Sequence, residues 1–384
     1  MSGPLSGIRV LEFEAIGPAP FAGMLLADLG ADVLVIDRPA STDLGLKRER
    51  RHDVMMRGKR SVTLELKSEG ARQAALELIA RSDALIEGFR PGVMERLGLG
   101  PDAALARNPR LVYGRMTGWG QDGPLSARAG HDINYIALAG VLQSFGRKGE
   151  APVPPLNLVG DFGGGGMLLG FGVACALLEA SRSGRGQVVD AAMVEGASLL
   201  AAMFHGFLKM NQWSEVRGTN ILDTGAPWYD VYETRDGKYV SIGAIEAKFF
   251  AELTARLGLS DLAPQNDRAR WPELREVFRK TFKQKTRDEW CQVFEGSDAC
   301  FAPVLSFTEA QRDAHNVARK SHVTVAGIEQ PAPAPRFSRT PGAVRRPPPE
   351  RGEGGLEALT EWGFGEEDVK RLTSLGLGTS QRKQ

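Results

Sequence analysis

The chain has 384 residues, enough for two or three domains, with 42% hydrophobic residues to build cores and 25% charged residues to keep the surface wet. Its 48 Lys and Arg against 47 Asp and Glu leave a formal charge of +1, which argues against a nucleic-acid binder, since that class carries a basic excess. Cys175, Cys291 and Cys300 lack metal-ligand or redox spacing and read as buried thiols of a reducing compartment; with no signal-peptide pattern at the start and an apolar run (167–178) too short for a bilayer, no membrane association and a cytoplasmic location are expected.

Residues 8–13 form a short strand, 21–29 a helix following Pro18 and Pro20 with Gly30 placed to end it, and 32–37 an apolar strand of parallel-sheet type. The alternation continues with 61–66 as strand, 68–81 as a helix capped by Ser68, and 84–86 and 111–113 as strands. This predicts a doubly wound, Rossmann-like α/β domain with a parallel sheet. Helices are expected over 131–145, 166–181 and 191–211, with a short strand at 188–190 and with His205 as a core residue. The texture changes near Asp223. Alternating residues around 228–233 and 239–242, joined by Asp236-Gly237, predict a hairpin, and amphipathic helices come next at 248–257, 271–282 and 287–295. The predicted large domain is therefore 1–223 with 331–384, and the small α+β domain is 224–330. The proline-rich segment 331–350 reads as an extended linker and 356–375 as a last helical segment.

Asp37 at the end of the second strand invites a dinucleotide reading, with the carboxylate on a ribose hydroxyl. The turn after the first strand, Glu12-Phe-Glu-Ala-Ile-Gly17, lacks the G-x-G-x-x-G that lets a backbone approach a pyrophosphate, which disfavours that reading. Arg38 directly follows Asp37, and over 47–60 Lys47, Arg48, Arg50, Arg51, Arg57, Lys59 and Arg60 stand against only Glu49 and Asp53. Such a run is either a solvated loop or a site for a ligand with several phosphates, because guanidinium groups bind phosphate through paired hydrogen bonds.

Glycine is over-represented, 46 residues in all against an average of about 7%, and the excess centres on residues 114–172. Two candidate proton-transfer residues lie there. His131 follows Gly130 at a loop-to-helix junction in Gly130-His-Asp-Ile-Asn-Tyr135, and Asp161 precedes four glycines in Asn157-Leu-Val-Gly-Asp-Phe-Gly-Gly-Gly-Gly166. Asp161 is a helix cap or a catalytic carboxylate to which side-chain-free glycines admit a bulky ligand.

Several segments carry a resemblance over nearly the whole chain: Leu26-Ala-Asp-Leu-Gly-Ala-Asp-Val33, Arg57-Gly-Lys-Arg-Ser-Val-Thr-Leu64, Glu87-Gly-Phe-Arg-Pro-Gly92, the His131 and Asp161 segments, and Gly186-Gln-Val-Val-Asp190. On these the sequence resembles the family III CoA-transferase fold group and, within it, the α-methylacyl-CoA racemases. The resemblance implies that His131 and Asp161 are the two bases flanking the α-carbon of a 2-methylacyl-CoA. Glu246 would orient the histidine, and Asn157 would stand beside the aspartate. Arg38, Arg57, Gly58, Lys59, Arg60 and Arg90 would contact CoA, with Gly130, Asp132 and Tyr135 in the same lining. It also implies an interlocked homodimer whose active site lies at the subunit interface, and an acyl surface rich in methionine, for which Met116, Met167, Met193, Met203 and Met210 are candidates. No metal or redox cofactor is expected, because CoA belongs to the substrate. The rival readings are a CoA-transferase with Asp161 as nucleophile and a non-catalytic CoA-binding protein.

Overall fold

Six parallel strands organise the larger part of the molecule, seen in a computed structural model that describes residues 3–40 and 49–380. In chain order they and their crossovers are β1 (Arg9–Phe13), α1 (Pro18–Asp28), β2 (Asp32–Asp37), β3 (Arg60–Thr63), α2 (Ala71–Ile79), β4 (Ala84–Glu87), α3 (Val93–Arg96), α4 (Pro101–Arg107), β5 (Val112–Thr117), α5 (Asp132–Leu138), a π-helix (Leu158–Met167) continuous with α6 (Leu168–Ser183), β6 (Val188–Ala192) and α7 (Met193–Leu200). The strand order is β3-β2-β1-β4-β5-β6, the doubly wound arrangement the alternation predicts. Because a parallel sheet is covered on both faces, strands with near-continuous apolar runs are required. Leu11, Phe13, Leu34 and Ile36 feed one core and Val10, Val33, Ile86 and Val112 the other. Prolines fit the first turn of α1, where their missing N–H has no partner to lose, so this helix starts three residues earlier than periodicity suggests. Ser68 is not a cap: α2 begins at Ala71 after Gly70.

The chain divides into two units, Met1–Ala139 with Leu156–Leu200 and Val317–Gln384, and Gly140–Pro155 with Ala201–Asn316. The boundaries differ from the predicted 223 and 331 for physical reasons. Residues 317–330 stay with the large unit because Arg57 donates to Gln330 Oε1 at 2.8 Å and to the Pro331 carbonyl at 2.7 Å. Residues 140–155 belong to the small unit because Arg147 forks onto Asp230 at 2.8 and 3.0 Å. The small unit contains α8 (Ala202–Lys209), β7 (Tyr229–Glu233), β8 (Tyr239–Gly243), α9 (Ala247–Arg256), α10 (Trp271–Phe282), α11 (Arg287–Phe294), β9 (Phe301–Pro303) and the short α12 (Phe307–Ala310). Its antiparallel sheet runs β7-β8-β9, and an aromatic core of Trp228, Tyr232, Trp271, Phe278, Phe282 and Trp290 closes it. His205 is not the core residue expected: α8 buries none of its side chains.

After α13 (Ala314–Ala318) the chain returns through the hairpin β10 (His322–Val325) and β11 (Ile328–Pro331) to α14 (Gly355–Glu361) and α15 (Glu366–Ser374). Leu359 and Leu372 of the last two helices, with Trp362 at the end of α14, complete the core under β1 and β2. The proline-rich stretch is not a free linker. Its backbone is fixed at Ala343 N–H to Asp28 O (2.9 Å) and Gly58 N–H to Arg346 O (2.8 Å), and just beyond it Ser61 N–H donates to Glu353 O (2.9 Å).

Residues 158–183 form one helical stretch with mean hydropathy 1.5, long and apolar enough to cross a membrane, where the shorter run 167–178 suggests otherwise. Its position in the unit is that of a core helix, packed against α1, α7 and the sheet. One face remains uncovered. Met167, Phe171, Cys175 and Leu178, spaced by three and four, are all exposed. Cys175 and Cys300 are thus exposed and Cys291 half-buried, against the buried thiols expected.

Candidate active site

In an open parallel sheet, ligands bind beyond the carboxyl ends of the strands where the strand order reverses. Here that point lies between β1 and β4, and the loops leaving it are 14–17 and 88–92. Gly17 caps α1 at φ 66°, and a Cβ there would stand 3.1 Å from Asp161 Oδ2. Both the left-handed backbone and the space explain a glycine that the sequence pattern does not single out.

Asp161 lies in the first turn of the π-helix, inside it and not at its cap, so the capping role falls away. π-helical geometry is rare and is frequently found at functional sites. The carboxylate accepts Asn157 Nδ2–H at 3.0 Å, and its backbone N–H donates to Asp132 Oδ2 at 2.7 Å. Burial pushes the Asp161 carboxyl above the ordinary carboxylate range. Asn157 opposes that rise, Asp132 adds to it, and His131 opposes it. His131 is the exposed N-cap of α5, with its own N–H held by Asn134 Oδ1 at 3.0 Å. The structure therefore brings His131, Asp161, Asn157 and Asp132 together in one electrostatic neighbourhood. Glu246 is exposed at the N-cap of α9 in the small unit.

Gly130 and Tyr135 are packed against each other next to His131. The Tyr135 hydroxyl donates to the Gly130 carbonyl, its ring meets Trp119 edge-on at 4.7 Å, and a Cβ on Gly130 would fall 2.7 Å from that ring. The exposed Arg90 leaves β4 at the switch point; its charge acts on Tyr135, and it has no ion-pair partner among the described residues. Arg38 is half-buried at the end of β2, its N–H on Glu14 Oε2 at 2.9 Å.

The remaining basic residues correct the phosphate reading. Arg57 forks onto Asp28 at 2.6 and 3.1 Å, Lys59 is fully buried on Glu12 at 2.7 and 2.8 Å, and Arg60 is buried on Asp32 and on Glu361 at 2.8 Å. Cations taken out of water need a paired anion, and these have carboxylates where a phosphate was expected. Gly58 is likewise structural, at φ 76° against the Ala27 methyl group. Lys47 and Arg48 lie outside the described residues. Asp37 is occupied by Arg50 at 2.6 Å and Ser61 at 2.5 Å, which argues further against the ribose role.

The glycine run also acts differently from the expectation. Side chains on Gly164, Gly165 and Gly166 would strike Ala197 N (2.5 Å), Met193 Cγ (2.9 Å) and Pro18 O (2.5 Å). The vacated space is filled by α7 and α1, so these glycines seat the Asp161 helix in place and do not make room for a ligand. Met116 and Met193 are core residues, whereas Met167, Met203 and Met210 are exposed.

A doubly wound α/β unit with an imidazole and a carboxyl raised by burial at its switch point defines an enzyme built for proton or acyl chemistry on a small-molecule ligand. The chain belongs to CoA-transferase family III, whose sequence profile matches residues 5–354. It is 46% identical to the alpha-methylacyl-CoA racemase of Mus musculus and 44% identical to that of Homo sapiens, in each case over 96% of both chains. The crystal structure of a CAIB/BAIF family protein from Brucella suis superposes with a TM-score of 0.82 at 25% identity, over 94% of this chain and 100% of that one.

Proposed function

We propose that this protein inverts the α-carbon of 2-methylacyl-CoA thioesters by proton transfer between two faces. The observation that carries the reading is the pairing of His131 with an Asp161 whose carboxyl is raised by burial, in a chain 44–46% identical to racemases over 96% of its length. One group removes the α-proton, and the C–H electron pair passes into the thioester carbonyl to give an enolate. The other group, protonated, delivers its proton to the opposite face. When the reaction runs backwards the two exchange roles, so both must hold and release a proton near neutral pH. Burial raises the Asp161 carboxyl above its usual range and so favours the protonated form that must donate. The thioester itself supplies the acidity, so the step needs no metal or redox group. Arg90, exposed at the switch point, is suited to the CoA phosphates.

The test is deuterium incorporation at the α-carbon of a single-enantiomer 2-methylacyl-CoA in deuterated water, followed together with loss of optical purity. Incorporation with racemisation is expected. In the transferase reading Asp161 attacks the thioester carbonyl and becomes an enzyme thioester; borohydride trapping at Asp161, without exchange, would establish that reading instead.

The proposal extends to a homodimer. The uncovered apolar face of 167–178 calls for a partner, and a second copy of the chain offers the same face and the exposed Glu246. Mixed oligomers made from His131→Ala and Glu246→Ala chains are expected to regain activity that neither variant has alone. Each mixed dimer then contains one site with both residues intact if Glu246 comes from the partner. No recovery is expected if the site is built within one chain.

A further inference from the structure

We propose that Asp132 is a positioning residue that ties the two proton-transfer residues together and keeps a buried negative charge beside Asp161. This deepens the racemase reading and rests on it. Asp132 directly follows His131 and is the first residue of α5, so its side chain is anchored one peptide from the imidazole. Its Oδ2 accepts the Asp161 backbone N–H at 2.7 Å, a charge-assisted bond from α5 to the π-helix. Asp132 is 5% exposed, and its Oδ1 is buried with no hydrogen-bond partner. Gly160 preserves the contact, since a Cβ there would lie 2.6 Å from Asp132 Oδ2.

A carboxylate with an unsatisfied buried oxygen is costly, and a helix-to-helix tie alone would be served by a neutral amide. The charge itself has a use here. It opposes ionisation of Asp161 and so favours the proton that Asp161 must donate in one direction of the reaction. The other groups around Asp161 do not replace it. His131 acts with the opposite sign and Asn157 is neutral. Tyr135 on α5 is itself raised, to about 12, chiefly by burial, with Arg90 acting in the opposite direction. On the other elements packed against the π-helix, Glu195 of α7 is exposed, Asp28 at the far end of α1 is paired with Arg57, and Arg115 of β5 is paired with Glu87 and Glu95. Asp190 of β6 is raised chiefly by its own burial.

The experiment compares the pH profiles of kcat/KM for the wild type, Asp132→Asn and Asp132→Ala, with α-proton exchange as the assay and thermal unfolding as the check on folding. Asp132→Asn retains an acceptor for the Asp161 N–H but removes the charge. Its acidic limb is expected to move to lower pH while KM stays near the wild-type value. Asp132→Ala loses the tie as well and is expected to drop kcat by roughly 10²-fold or more, as a misplaced reacting group does. A folded Asp132→Asn enzyme whose profile superimposes on the wild type would overturn the proposal, as would an Asp132→Ala enzyme with wild-type kcat. If the wild type itself exchanges no α-proton, the racemase reading has failed, a result separate from either of these.

Discussion

Asp161→Asn is expected to lower the rate of racemisation by roughly 10²–10⁴-fold, the usual worth of one positioned acid or base, and His131→Ala by a similar factor. Asparagine keeps the size of the side chain and an acceptor for Asn157 Nδ2, which lies 3.0 Å from Asp161 Oδ2, so the helix that carries it keeps its seat against α7 and α1. The variant loses the group that takes up and gives back a proton. The two variants differ in a way that a general loss of folding would not produce. With only the imidazole present, an α-proton can still leave and return on the His131 face, so one enantiomer continues to exchange with deuterated water without inverting. With only the carboxyl present, the other enantiomer does so. Chiral analysis combined with mass spectrometry reads both quantities in one sample. Equal residual exchange of both enantiomers in each variant would show that neither residue holds its assigned face.

The doubly wound α/β class was legible because its signals are local, and His131 and Asp161, the pair proposed to transfer protons, stood out for the same reason. The run 32–37 coincides with β2 because a buried parallel strand is apolar throughout, and the hairpin at Asp236-Gly237 comes from turn chemistry. The misread features depend on partners distant in sequence. Arg57, Lys59 and Arg60 look like a phosphate loop until Asp28, Glu12 and Asp32 are seen beside them. The glycines 163–166 look like an opening until α7 and α1 fill it. No periodicity announces the π-helix, because consecutive glycines carry no side-chain face to read. Gly17 was invisible for a related reason: its importance lies in a carboxylate far along the chain. Both kinds of error exchange a nonlocal packing constraint for a ligand, since both leave the same local mark.

Lys59→Met is expected to destabilise the protein by about 3–5 kcal/mol, the cost of removing one partner from a buried ion pair and a large part of the roughly 5–15 kcal/mol that holds a domain folded. Lys59 is fully buried, and its three ammonium hydrogens have three acceptors, the two Glu12 oxygens at 2.7 and 2.8 Å and the Pro20 carbonyl at 2.9 Å. Gly23 packs directly against the pair, since a Cβ there would fall 1.8 Å from Glu12 Oε2. Even with Lys59 opposite, burial raises the Glu12 carboxyl to about 7; without it the folded value rises further. A group raised on folding contributes its stability below the unfolded value, about 4.3 for glutamate, and loses it as pH climbs through the folded one. Below that folded value both proteins lose this stability alike, but the variant keeps the Glu12 proton to higher pH, so the gap between variant and wild type in urea unfolding should widen as pH rises above about 7. A Glu12→Leu/Lys59→Met double variant, which removes both charges and fills similar volume, is expected to recover most of the loss. A single variant as stable as the wild type at the higher pH would show that the pair is not the buried constraint its geometry describes. The consequence reaches the site: Lys59 holds Pro20 in the first turn of α1, and that turn begins at Gly17, the residue whose missing side chain leaves space for the Asp161 carboxylate. The same variant, assayed where it remains folded, should lose kcat for proton exchange more than it gains KM.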